Sequence, residues 1–163
     1  MQVEYHSGLA SFDLASYASR YSGPSKLQRL KRIAEVSPDL RETAYKLIVE
    51  ELKNNSYDTQ MYQNVCAMAQ SAGLKDPIFI PDNNWMESAE SHSKARSIEI
   101  NQTLHVAKTS IHKEDMRRAY MERAKFLQKQ GDLVEAGKVF ARCRDFVSSA
   151  AQSAEVSLAI AII

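Results

Sequence analysis

The side chains that most often carry chemistry are few and scattered here. Four histidines, His6, His92, His105 and His112, form no H-x-H, no H-E-x-x-H and no i, i+4 pair. A hydrolytic zinc site needs several such ligands converging on one open position, so that ligand set is missing. No G-x-x-x-x-G-K-[ST], G-x-G-x-x-G or G-x-S-x-G occurs, and five glycines are few from which to build a phosphate cradle or a nucleophile elbow. The adjacent carboxylates Glu50-Glu51 and Glu114-Asp115 read as solvated charges on exposed helical turns rather than as an acid/base pair. Cys66 and Cys143 lie far apart with no C-x-x-C, which gives neither a zinc signature nor a disulfide framework and leaves two partly buried free thiols. The expectation is therefore no catalytic residue, no metal and no cofactor.

What remains is binding chemistry. Arg118, Met121, Lys125 and Gln128 fall on one helical face of mostly basic character, which could hold an acidic peptide or carboxylate through charge-assisted hydrogen bonds; the plainer reading is a solvated face. Lys26, Arg29, Lys31 and Arg32 form a second basic cluster, read as helix surface or a subunit contact, because Leu27, Leu30 and Ile33 interleave as its core side. The serines Ser88, Ser91, Ser93 and Ser97 fit either phosphorylation or a polar helix surface. Lys plus Arg total 21 against 20 acids, a net charge of +1, which supports neither a nucleic-acid nor a membrane-surface partner.

The elements that must position these residues are helical. The 163 residues contain 5 Gly and 4 Pro, so loops are few and the balance favours helix. After a tail over 1–10, Ser11 is the candidate cap of a short helix carrying Leu14, Tyr17 and Ala18. Pro24 opens a second helix with the stripe Leu27, Leu30, Ile33, Ala34. Ser37 caps a third, with Leu40, Ala44, Leu47, Ile48 and Leu52 inward, and Asn54-Asn55 supply a left-handed end. Asp58 or Thr59 opens a fourth, lined by Met61, Tyr62, Val65, Cys66 and Ala69 and stopped at Gly73. These hairpins fill 11–73. The segment 74–84, with two prolines around Ile78-Phe79-Ile80, reads as an extended connector. Asn84 then caps a long, mostly exposed helix with Trp85, Ala89, Ile98, Leu104 and Val106 as its sparse apolar positions.

From Ile111 to Gln130 the period sharpens. Gly131 ends that helix, and Asp132-x-x-Glu135 starts its antiparallel partner in the manner of a capping box. Set against the 34-residue tetratricopeptide pattern, Tyr120, Ala124, Leu127, Gly131, Ala136, Phe140 and Cys143 match its large, small and turn positions. Arg123 replaces a usual Leu and Ser148 the closing Pro. Small residues allow close helix approach and the aromatics fill the gap, so these seven are core. The fold class is all-α, an α-solenoid of antiparallel hairpins, with 85–163 holding the long helix and the repeat. The last stretch, Glu155 to Ile163, starts an apolar helix with no polar closing turn, so the expectation is a chain cut within a longer protein. Met1 to Ala10 hold no basic stretch followed by an apolar run, so the expectation is neither export nor a membrane span, with a reducing compartment, cytosol or nucleus, as the default.

The string Tyr17-Ala18-Ser19-Arg20-Tyr21-Ser22-Gly23, the spacing Leu30-x-x-Ile33-Ala34-Glu35 and Leu40-Arg41-x-x-Ala44, the helix headed by Trp85, Gln130-Gly131-Asp132-Leu133-x-x-Ala136, and Ala141-Arg142-Cys143-Arg144-Asp145-Phe146-x-Ser148-Ser149-Ala150 together resemble the COP-nine signalosome subunit one family. The resemblance runs from Asp13 to about Ala150, and a related proteasome lid subunit shares the hairpin. It implies a non-catalytic scaffold segment followed by a PCI domain, within the complex that removes Nedd-eight from cullins. Implied partners are the other signalosome subunits and cullin-RING ligase components or regulators, and the implied location is cytoplasm and nucleus. The alternatives are the proteasome lid subunit of the same family and, in a different class, a free-standing tetratricopeptide adaptor for acidic peptides.

Overall fold

Helix ends, more than helix interiors, set the architecture. The computed structural model describes residues 12–109 and 112–161. Among these it contains eight α-helices and no strand: α1 Leu14–Ala18, α2 Gly23–Val36, α3 Arg41–Asn55, α4 Thr59–Ser71, α5 Asn83–Thr109, α6 Lys113–Lys129, α7 Leu133–Cys143 and α8 Ala150–Ala161. Single 3-10 turns, Pro77–Phe79 and Arg144–Phe146, interrupt the links before α5 and after α7. The tail, Ser11, His6, Ile111 and the final two residues lie outside the described residues.

Aspartate is the recurrent starter. The carboxylates of Asp13, Asp58 and Asp132 accept backbone N–H bonds from the first turns of α1, α4 and α7, and Asp82 Oδ1 accepts from Trp85 N at 3.0 Å at the start of α5. Each satisfies a donor that a helix N-terminus otherwise leaves without a partner. Three predicted caps are thereby corrected: Asp13 takes the role expected of Ser11 at α1, Asp82 and not Asn84 caps α5, and Ser37 closes α2 while α3 starts four residues beyond it, after a turn over 38–40. At the other ends, Gly73 (φ +79°) and Gly131 (φ +84°) close α4 and α6 in matching Schellman motifs. Leu74 N–H reaches Ala69 O at 3.1 Å, and Asp132 N–H reaches Leu127 O at 3.0 Å. The Asn54-Asn55 end of α3 does not turn left-handed; α3 leaves through extended Ser56.

The helices bury two main cores. The first gathers Leu30, Ile48, Leu52, Tyr62 and Phe79 from α2, α3, α4 and the Pro77–Phe79 turn. The second gathers Met121, Ala124, Ala136, Val139, Phe140, Cys143 and Val156 from α6, α7 and α8. A small cluster of Leu104, Ala107 and Ala119 seats the end of α5 on α6. The connector carries Phe79 into the first core, whereas Ile80 is exposed. Along α5 the inward residues are Met86, Ala89, Ser93, Ile100, Leu104 and Ala107, so Ile98 and Val106 face solvent against expectation. The long helix's weak amphipathicity explains the miss: polar Ser93 and small Ala107 occupy inward positions that an apolar count passes over.

The two cores meet at the C-terminus of α6, whose last carbonyls have no intrahelical donor. Lys129 O accepts from Tyr57 N at 2.7 Å and from Ser56 Oγ at 2.8 Å. Beside it the Tyr57 and Phe126 rings lie 6.0 Å apart, and Gln130 Nε2 donates to Ser93 Oγ at 2.9 Å. The α3–α4 link thus caps a helix more than seventy residues away in sequence.

Candidate interaction surface

The α6/α7 hairpin turns at Gly131, which is exposed rather than the core residue expected, and buries Ala124, Ala136, Phe140 and Cys143 between its arms. Leu127 packs against that core, and Tyr120 is half-buried against it, its ring stacked on Phe146 at 5.5 Å. Burial pushes the Cys143 thiol up to about 11 and raises Cys66 as well; both thiols are fully buried rather than partly so. Val139 is an equally buried position that the repeat pattern did not single out.

Arg118, Met121 and Lys125 line one hollow, and Lys125 and Gln128 another. Arg118 is exposed and donates to Glu114 at 2.9 Å, while Met121 is 5% exposed and belongs to the hairpin core. These two, with Arg117, Glu122, Lys125 and Glu155, line a hollow of about 340 Å³ between α6 and α8. Its centre is an ion network. Arg117 donates to Glu114 Oε1 at 2.8 Å and to Glu155 Oε2 at 2.9 Å, and Gln152 Nε2 donates to Glu114 Oε2 at 3.0 Å. The Arg117 guanidinium holds the Glu114 carboxyl down to about 2, with Arg118 assisting. Glu122 is held in turn by Arg96 of α5. The hollow is therefore close to neutral, and its charges serve first to lock α8 onto α6.

Gln128 points into a larger groove of about 690 Å³, where α2 and the α3–α4 link face α6, α7 and α8. Lys125 contributes to both hollows. Lys31, Lys129 and the apolar Leu27, Met61 and Leu133 also line the groove, together with Glu51 and Asp58. Glu51 was expected on an exposed turn, but it is 8% exposed and takes Lys26 Nζ at 2.6 Å. Burial raises the Asp58 carboxyl, whose Oδ1 accepts Met61 N–H at 2.8 Å. In the basic cluster, Arg29 stacks 4.2 Å from the Tyr21 ring centroid and Arg32 reaches Glu35, so Lys31 is the member facing the groove. Sequence reading missed this groove because its walls come from chain segments about a hundred residues apart.

An all-α stack of hairpins with concave seams between them is the architecture of a helical solenoid. The chain belongs to the family described as 26S proteasome subunit RPN7, whose model matches residues 82–163. It is also similar to subunit 1 of the COP9 signalosome complex from several organisms. Identity is 27% with the Schizosaccharomyces pombe protein, over 90% of this chain and 34% of that relative. With the Emericella nidulans protein it is 29%, over 85% and 28%, and with the Arabidopsis thaliana protein 26%, over 84% and 31%. The chain thus spans about a third of the length of the curated relatives it matches. The resemblance expected from the Tyr17–Gly23 and Gln130–Ala136 blocks is found again in these relatives. No helix among the described residues is long and apolar enough to cross a membrane.

Proposed function

We propose that this chain is a non-catalytic scaffold segment of the COP9 signalosome, the complex to which the resemblance ascribes deneddylation of cullins. One observation carries the reading. The match to signalosome subunit 1 extends over 146 residues, more than the 82–163 span of the RPN7 model can hold, so it includes much of the N-terminal helices. Support for a scaffold role comes from the residues themselves. The ion network of Glu114, Arg117, Arg118 and Glu155 is balanced in charge and joins two helices, an arrangement suited to rigidity rather than proton transfer.

In this reading the other signalosome subunits are the first partners, and cullin-RING ligase components or regulators reach the same helical surface, in cytoplasm and nucleus. The division of the chain at the 74–84 connector belongs to the proposal, as does contact through the exposed parts of Arg118, Lys125 and Gln128 with Met121 beneath. Affinity purification of the tagged protein from its own cells tests it. The expected result is co-purification of the remaining signalosome subunits. Recovery of proteasomal ATPases instead would transfer the chain to the proteasome lid, and recovery of neither would end both assignments.

A further inference from the structure

We propose that the 690 Å³ groove between α2 and the α6/α7 hairpin receives a short acidic-apolar peptide segment of a partner protein. This rests on the reading of the chain as an interaction module, though not on which complex it joins. The volume lies within the roughly 300–1,000 Å³ of sites that bind compact ligands. The floor is apolar, formed by Leu27, Met61 and Leu133. Around it stand Lys31 from α2 and Lys125 and Lys129 from α6. All three are exposed, and none has an acidic partner among the described residues.

The other cations of this surface differ. Lys26, Arg32, Arg117, Arg118 and Lys138 each hold a carboxylate within 4 Å. The groove's own acids leave the lysines uncompensated. Glu51 is neutralised by Lys26, and Asp58 is fixed as the cap of α4, with its second oxygen against Gly131. Three free ammonium groups over an apolar floor complement a segment presenting carboxylates beside bulky apolar side chains. A basic or uncharged segment would bury the floor while leaving the cations facing no opposite charge.

The occupant would touch both cores at once, since α2 belongs to the first and α6 and α7 to the second. Binding should therefore stiffen the junction at which Ser56 and Tyr57 cap α6, and protect the Tyr57 amide from hydrogen exchange.

The test uses the purified chain and an array of fluorescein-labelled synthetic peptides in which Glu or Asp flank a pair of apolar side chains, read by fluorescence anisotropy. Binding by members of the array is expected, with about tenfold loss on reversing Lys31, Lys125 and Lys129 to Glu together. Affinity should also fall as salt rises past about 0.1 M, where the screening length is about 10 Å. Lys138→Glu, outside the groove, should change nothing. Circular dichroism checks folding; should the triple reversal lose helicity, the triple Lys→Gln variant replaces it. Overturning results are no binding by any member, equal binding of Lys-for-acid peptides, or insensitivity to the triple variant. A concentration-dependent dimer that the triple variant abolishes, without peptide binding, would assign the groove to a second copy and also overturn the proposal. Because the assay contains no other subunit, its failure is separable from a failure to co-purify with the signalosome.

Discussion

The carboxylate of Asp58 occupies the space in which a side chain at residue 131 would begin: a Cβ on Gly131 would lie 2.0 Å from Asp58 Oδ2. One residue caps α4 and the other closes α6, so two helix-end devices from different cores are fitted against each other. The glycine is required twice, for its left-handed φ of +84° and for the room it leaves.

Gly131→Ala is accordingly expected to destabilise by at least the ~1–2 kcal/mol that a left-handed backbone costs a residue bearing a Cβ, with the collision added. Asp58→Ala should cost about 1 kcal/mol through the lost cap. The double variant should lose less than the sum, because removing the carboxylate removes the collision. Urea unfolding of the four proteins measures the coupling, and strict additivity would show that the two residues do not meet.

Ser56→Ala removes one of the two donors to Lys129 O and should cost about 1 kcal/mol, leaving the Tyr57 N–H in place. Native-state hydrogen exchange gives the sharper reading. Tyr57 N–H should be protected to the level of the α6 core, and Ser56→Ala should lower that protection. Exchange at the rate of an unstructured peptide would mean that the junction is open in solution.

The pH response of the α6–α8 lock has a definite sign. Glu114 titrates near 2 when folded against 4.5 as the ordinary value. Its contribution to stability is therefore full above 4.5 and is lost as pH falls from there toward 2. Arg117→Met should flatten this acid slope and lower Tm at neutral pH. Asp58, raised by burial, acts in the opposite sense, favouring the fold below its ordinary value of 3.8 and losing that contribution as pH rises through its folded value. Measuring the slope in an Asp58→Asn background isolates Glu114. An unchanged slope in the Arg117 variant would remove Arg117 as its cause.

Neither thiol should be reactive in the folded protein. Cys143 is held up to about 11 and both cysteines are inaccessible, whereas alkylation needs an exposed thiolate. Mass spectrometry after iodoacetamide at pH 8 should find both unmodified until denaturant is added. Native modification of Cys143 would show that α7 and α8 separate readily, and Phe140→Ala, expected to cost about 3–5 kcal/mol, should have that effect.

Much of the fold was legible one helix at a time. The stripe Leu27, Leu30, Ile33, Ala34 and the glycine stops at 73 and 131 rest on local rules, periodicity and the left-handed turn, which need no partner to operate. The hairpin positions Ala124, Ala136, Phe140 and Cys143 were readable for the same reason, since their size pattern reports close crossing of neighbouring helices. Capping misled where two polar residues competed. Asp82 was overlooked beside Asn84, although Lys53 Nζ at 2.7 Å from Asp82 Oδ2 and Tyr62 Oη at 3.0 Å from its N–H fix it from outside its own helix.

The candidate surface was legible only in part. Helical spacing put Arg118, Met121, Lys125 and Gln128 on one face, because spacing describes a helix standing alone. Once α8 docks, Met121 is buried, Arg118 is tied to Glu114, and Lys125 and Gln128 turn to a groove shared with α2. By itself the sequence determined an all-α hairpin architecture, its turn residues and the likeness to signalosome subunit 1, since these reside in local periodicity and short motifs. Tertiary structure alone decided that Lys129 O is capped by Ser56 and Tyr57, that Glu51 is a buried partner of Lys26, and that Lys31 and Lys129 overlook one apolar groove. Those relations join residues whose separation in sequence carries no periodic signal, and they exist only when packing of the two cores brings the helix ends together.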